Sequence, residues 1–208
     1  MNARQEIAIL DFGSQYTHLI ARRVRELGVV SHIYPNDIDA KNLKHAIGII
    51  LSGGPKSVLG SDALAYDPTL FDLGVPVLGL CYGHQLMAKH FGGSVEGGQA
   101  REYGLATLHT LPSPQRGGLG WGQTMADDNP TLFTPLPGEG LISASPIFSD
   151  VAPETTIWMS HGDHVEKLPP GFTQIGATGN NSITAMANDE KKWYGFQFHP
   201  EVYHSRQG

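Results

Sequence analysis

Val75-Pro76-Val77-Leu78-Gly79-Leu80-Cys81-Tyr82-Gly83-His84-Gln85-Leu86-Met87 is the stretch on which the fold turns. Val77 to Leu80 is a short apolar run of the kind that forms a buried strand, and His84 to His90 is compatible with a helix. Between them lies Gly-x-Cys-x-Gly, the thiol version of a nucleophile elbow. A turn this sharp strains the backbone of its central residue and needs small neighbours. It also leaves the thiol at a helix N-terminus, where the dipole and unpaired N–H groups favour a thiolate. A lone cysteine is ordinarily a small buried hydrophobe. The elbow therefore leaves both a structural thiol and a nucleophile open until a base is found.

A candidate base lies near the C-terminus. Trp193-Tyr194-Gly195-Phe196-Gln197-Phe198 is aromatic and alternating, which predicts a strand, and His199-Pro200-Glu201 follows at its end. Proline pushes His199 toward extended geometry, and side chains two apart in an extended segment face the same way. An imidazole that takes a proton, steadied by a carboxylate, is the arrangement a cysteine nucleophile requires. A surface His-Pro-Glu turn is the plain alternative, and the presence of both signals in one chain weakens it.

Outward from these strings the chain alternates. Ile7 to Leu10, Val29 to Tyr34, Ile47 to Leu51 and Val77 to Leu80 read as strands. Tyr16, Leu19, Ile20, Val24 and Leu27 fall on one helical face that Gly28 ends, and Asp37 to Ala46 predicts a short helix. Alternation of this kind predicts an α/β fold with a mostly parallel sheet covered on both faces. After Gly92 the pattern changes to strands at Leu105 to His109, Thr156 to Met159, Thr173 to Ala177, Ile183 to Ala187 and Trp193 to Phe198, an added antiparallel part. Ligands of open α/β sheets sit beyond the carboxyl ends of the strands. Gly54, Cys81 and His199 all follow such ends. The turn Ser52-Gly53-Gly54-Pro55 is either a plain tight turn or the source of a free Gly54 N–H that, with that of Tyr82, could hold an oxyanion.

Composition narrows the classes. With 208 residues, 40% of them hydrophobic, the chain can bury a full α/β core. A net charge of −6 without a basic stripe argues against a nucleic-acid surface. One cysteine precludes an intrachain disulfide and suits a reducing cytoplasm. Met1 to Glu6 does not read as a signal peptide, and no apolar run is long enough to span a membrane. Asp11-Phe12-Gly13 and Gly54-Pro55-Lys56-Ser57 lack the context of a kinase or a phosphate loop. His161-Gly162-Asp163-His164 lacks a third strong ligand, so no metal is expected.

Taken together, these strings resemble the class I (triad) glutamine amidotransferases. The resemblance rests on Asp11 to Tyr16, Leu51 to Pro55, Gly79 to Gln85, Arg101 to Gly104, Trp158 to Asp163 and Gly195 to Val202. Asp-Phe-Gly-Ser-Gln-Tyr and Met-Ser-His-Gly-Asp favour the GMP-synthetase branch over the anthranilate, carbamoyl-phosphate and CTP branches. The resemblance implies a three-layer, flavodoxin-like domain spanning 1–208 that hydrolyses glutamine. It implies Cys81 as nucleophile, His199 as base, Glu201 as its partner, and Gly54 and Tyr82 as oxyanion donors. Gln85, Ser160, His161 and Asp163 would grip the α-groups of glutamine. Ammonia would pass to an ATP pyrophosphatase (synthetase) domain that aminates XMP to GMP, and ATP and magnesium belong to that domain, not to this one.

Two departures accompany the resemblance. The synthetase domain is absent, and the chain stops at Gly208 where the family continues into another helix. An excised domain or truncated product is therefore expected, the alternative being a free subunit. The segment from Leu111 to Ala144 is too long for the family. Its 34 residues include six Gly and five Pro, a low-complexity composition that predicts an inserted loop, with a functional lid as the alternative. Two other functions remain open: a γ-glutamyl hydrolase or cysteine peptidase on the same scaffold, and a catalytically silent docking module.

Overall fold

The computed structural model describes residues 5–111, 145–181 and 183–208, so the insertion expected at 111–144 lies, apart from Leu111, outside the described residues. The elements run β1 (Glu6–Asp11), α1 (Thr17–Glu26), β2 (Ser31–Pro35), β3 (Ala46–Leu51), β4 (Val77–Leu80), α2 (Tyr82–His90), β5 (Ser94–Thr110), β6 (Glu154–Lys167), β7 (Thr173–Ala177), β8 (Ala185–Asn188) and β9 (Trp193–Phe196). Among the described residues they form one nine-stranded sheet in the order β2-β1-β3-β4-β9-β8-β7-β5-β6. The pairs from β2 through β9 are parallel, and those from β9 to β6 are antiparallel.

Strand alternation builds two cores. Ala8 and Leu10 of β1 join Ile49, Leu51, Leu86 and Met87 under α2, whereas Ile9 joins Ile20, Ala21 and Leu80 under α1. The result is the expected three-layer domain with a helix on each face. Among the described residues no helix is long and apolar enough to cross a membrane.

The structure corrects several local expectations. Asp37 to Ala46 holds only a 3-10 turn at Ala40–Leu43, started by the Asp39 side chain accepting from the Lys41 N–H. Leu27 is not on the core face: α1 ends at Glu26, Gly28 takes φ +79, and Leu27 at the cap is 83% exposed. Tyr16 precedes α1 rather than packing within it. The strand expected at Thr156 to Met159 runs on through Ser160 to Asp163. These residues lie inside β6, with Ser160 opposite Tyr103 and His161 opposite Glu102 of β5.

Candidate active site

Cys81 occupies the turn between β4 and α2 with φ +49 and ψ −100, a left-handed backbone that a residue with a side chain rarely adopts. Strain of this kind costs on the order of 1–3 kcal/mol and persists only where the surroundings over-determine it. Here they do. The Cys81 N–H donates to the Phe196 carbonyl at 2.7 Å, the Gly83 N–H to Ser52 at 3.2 Å, and the Gln85 N–H to Cys81 at 3.1 Å. Glycine is required on both sides. A Cβ at position 79 would lie 2.5 Å from the Gly83 carbonyl, and one at 83 would lie 2.4 Å from the Leu51 carbonyl. With the Cys81 and Gly83 amides engaged, Tyr82 is the elbow residue whose N–H, at the first helical position, has no intrahelical acceptor. The Tyr82 side chain turns away, its ring 5.2 Å from that of Phe12 and its hydroxyl accepting from the Leu64 N–H. Only its backbone can face a ligand at Cys81.

β9 runs beside β4, with Gly79 opposite Gly195 and Leu80 opposite Phe196. His199 follows three residues later, and its N–H is fixed by the Trp158 carbonyl at 3.0 Å. The His199 Nδ1 donates to Glu201 Oε1 at 2.7 Å, which leaves Nε2 as the nitrogen available to the Cys81 sulfur. Both side chains are buried. Burial pulls the His199 pKa down, but the hydrogen bonds and charges of Cys81 and Glu201 outweigh it and push the value up to about 10. The elbow's own histidine is the opposite case. Burial holds His84 down to about 3, so it is neutral at ordinary pH. Of the two histidines, only His199 has a carboxylate partner on its ring.

A cavity of about 700 Å³ opens over Cys81 at the carboxyl ends of the parallel strands. Of the residues expected from the sequence, Cys81, His199, Gly54, Gln85, Ser160, His161 and Asp163 line it. Glu201 stands behind His199, outside the wall. Gly54 must be a glycine, because a Cβ there would meet the Phe12 carbonyl at 2.4 Å. The far wall is cross-braced. The Gln85 Nε2 donates to the Asp163 carbonyl at 2.7 Å, His161 Nδ1 meets the same carbonyl at 2.9 Å, and His161 Nε2 meets Glu102 Oε2 at 3.0 Å. Burial pulls the His161 pKa below its ordinary value, against these acceptors. The Ser57 hydroxyl donates to Asp163 Oδ2. Among the residues that the sequence reading did not name as part of the site are Tyr16, edge-on to His199 at 5.2 Å, and Ser57, both lining the cavity, and Glu102, which braces His161. Tyr16 and Glu102 stand in strings that carry the family resemblance, and Ser57 carries no signal of its own. Among the described residues no group of three or more His, Cys, Asp or Glu is placed to hold a metal ion.

The family described as Glutamine amidotransferase class-I matches residues 8–208, almost the whole chain. The chain belongs to the class I glutamine amidotransferases. Within that family it is 46% identical over 204 residues to a GMP synthase (glutamine-hydrolyzing) of Nitrosococcus oceani, covering 97% of this chain and 34% of that protein. It is 45% identical over 207 residues to that of Neisseria meningitidis, covering 99% and 34%. The chain thus spans about a third of the length of the curated relatives it matches. Among solved structures, a Thermoplasma acidophilum protein described as a GMP synthase subunit superposes with a TM-score of 0.74 at 30% identity, covering 98% of this chain and 87% of that one. A glutamine amidotransferase from Thermotoga maritima, at TM-score 0.66 and 19% identity over 97% and 78%, shares the fold.

Proposed function

We propose that this chain is a single amidotransferase domain, carrying an insertion at about 111–144, that hydrolyses glutamine to glutamate and ammonia through Cys81, His199 and Glu201. The observation that carries this reading is the strained Cys81 elbow placed over a cavity beside a buried, hydrogen-bonded His199–Glu201 pair. His199 Nε2 takes the Cys81 proton, and the sulfur adds to the side-chain amide carbon of glutamine. The oxyanion that forms lies against the N–H groups of Gly54 and Tyr82. Its collapse breaks the C–N bond, and His199 returns the proton to the departing ammonia. Water then attacks the thioester with His199 as general base, releasing glutamate and the thiol. Glu201 steadies the imidazolium in both halves. Gln85, Ser160, His161 and Asp163 hold the α-amino and α-carboxylate groups of glutamine.

The ammonia serves GMP synthesis in the cytoplasm. It passes to an ATP pyrophosphatase (synthetase) domain or subunit that aminates XMP, and ATP and magnesium act there while this domain takes no cofactor. Support comes from the name GMP synthase carried by relatives about 45% identical across the chain, and from the chain matching about a third of their length. The test is glutamate release from glutamine by the wild type and by Cys81→Ala, together with labelling by a glutamine-like electrophile. Glutamate release that depends on Cys81, with the label on Cys81, is expected. A label that bypasses Cys81, or equal release from the Cys81→Ala variant, would refute the assignment. Competition by γ-glutamyl peptides but not by glutamine would point instead to a hydrolase of peptides.

A further inference from the structure

Gln197 is wholly buried and stands two residues before His199, just past the end of β9. Its surroundings fix which way its amide faces. The Gln85 Nε2 donates to the Asp163 backbone carbonyl at 2.7 Å, and a carbonyl can only accept, so the nitrogen end of Gln85 is anchored. The same nitrogen gives its other proton to Gln197 Oε1 at 3.2 Å. With its oxygen committed to Gln85, Gln197 turns Nε2 to the Cys81 sulfur at 3.7 Å. The direction of this relay is set by the Asp163 carbonyl and ends at the sulfur.

The sulfur has a second neighbour of opposite character. The thiol donates to the Ser160 carbonyl at 3.7 Å. Once the proton moves to His199, that carbonyl faces an anion it can only repel. A neutral N–H donor at that moment favours the charged sulfur, and hydrogen bonds to charged groups are stronger than neutral ones. It favours it again when the thioester breaks and the sulfur leaves.

We propose that Gln197 is a further residue of the reaction, whose amide N–H holds the Cys81 sulfur in its anionic form and is oriented for that task by Gln85 and the Asp163 carbonyl. This rests on Cys81 being the nucleophile. Gln197 forms no covalent bond and exchanges no proton; the Cys81 proton goes to His199.

The experiment uses the full chain with Gln197→Leu, which keeps the volume and removes the donor, and Gln197→Glu, which keeps the shape and puts an oxygen where the N–H was. Alkylation of Cys81 by iodoacetamide is followed from acid to alkaline pH, alongside kcat and KM for glutamine. Loss of the donor is expected to move the alkylation midpoint upward by about one pH unit, further in Gln197→Glu, and to lower kcat by on the order of tenfold with KM little changed. A residue that only filled space would lower the melting temperature and leave the midpoint in place. Unchanged midpoints in either folded variant, in a protein that hydrolyses glutamine, overturn the assignment. If the wild type releases no glutamate while the midpoints still move, the proposed function fails and the link from Gln197 to the sulfur stands.

Discussion

Gly83→Ala is the perturbation whose outcome follows most directly from the elbow's geometry. The added methyl would lie 2.4 Å from the Leu51 carbonyl oxygen and 2.7 Å from the Leu51 Cβ. Ordinary contact for a Cβ begins at 3.4 Å, so the first turn of α2 must retreat from β3 by about 1 Å. Neither neighbour can swing aside, because one is backbone and the other is fixed to it in a central strand. Forcing a methyl into such a space costs about 1–3 kcal/mol. In a chain of this size each kcal/mol lowers the melting temperature by about 2–4 °C, so a fall of roughly 2–12 °C is expected. The same retreat stretches the Gly83–Ser52 hydrogen bond and carries Cys81 away from His199. A misplacement of about 1 Å can cost on the order of 100-fold in rate. Thermal unfolding by circular dichroism and the rate of glutamate release read the two effects separately. Gly179→Ala is the control, since a Cβ there meets nothing within 4 Å. A Gly83→Ala protein with wild-type melting and turnover, or a Gly179→Ala protein damaged as badly, would show that the elbow does not depend on this close approach.

Two further substitutions probe the strain and the base. Cys81→Gly should be more stable than Cys81→Ala by about 1 kcal/mol in urea unfolding, because glycine accepts the left-handed backbone at some entropic cost; an alanine variant that is the more stable of the two would mean the elbow holds no strain. Glu201→Gln should slow glutamate release by about 10²–10⁴-fold. It should also change how stability responds to pH. His199 is raised from 6.5 to about 10 on folding, so the stabilisation it brings is full below pH 6.5 and fades as pH climbs to about 10. The stability gap between wild type and Glu201→Gln is therefore widest at the acid side of that window and closes across it. A gap that widened with pH would contradict the pairing.

What the sequence revealed is what short-range chemistry dictates. Gly79-x-Cys81-x-Gly83 and His199-Pro200-Glu201 announce themselves because steric demand and proline act on immediate neighbours. The helix on each face of the sheet was legible from periodicity for the same reason. What stayed hidden depends on partners far along the chain. The strand read at Thr156 to Met159 stopped there because the polar residues Ser160 to Asp163 break its apolar pattern. They are strand because β5 supplies a ladder beside them, through a register shift between Gly97 and Glu102. Ser57 and Asp163 meet across 106 positions of sequence, and no local signal marks such a pair. Tyr16 fitted a helical face by spacing alone, yet the 3.6-residue period cannot tell the first helical residue from the one before it. Thr17 is the residue that starts α1, with its hydroxyl donating to Asp11 Oδ1 at 2.7 Å.

The pairing of β4 with β9 bears on how this domain can change over evolutionary time. Cys81 and His199 come from opposite halves of the sequence, yet both follow the last rung of one ladder, Leu80 opposite Phe196, and the Cys81 N–H itself bonds across to the Phe196 carbonyl. Their spacing is set by main-chain atoms that every residue possesses. Apolar side chains on either face of the sheet can therefore drift, swap sizes and repack without moving sulfur relative to imidazole. A slip of one residue in that single pairing would separate them at once. Selection on the chemistry thus falls on the register of one strand pair and on the few glycines that let chains approach, and it leaves most of the core free to wander.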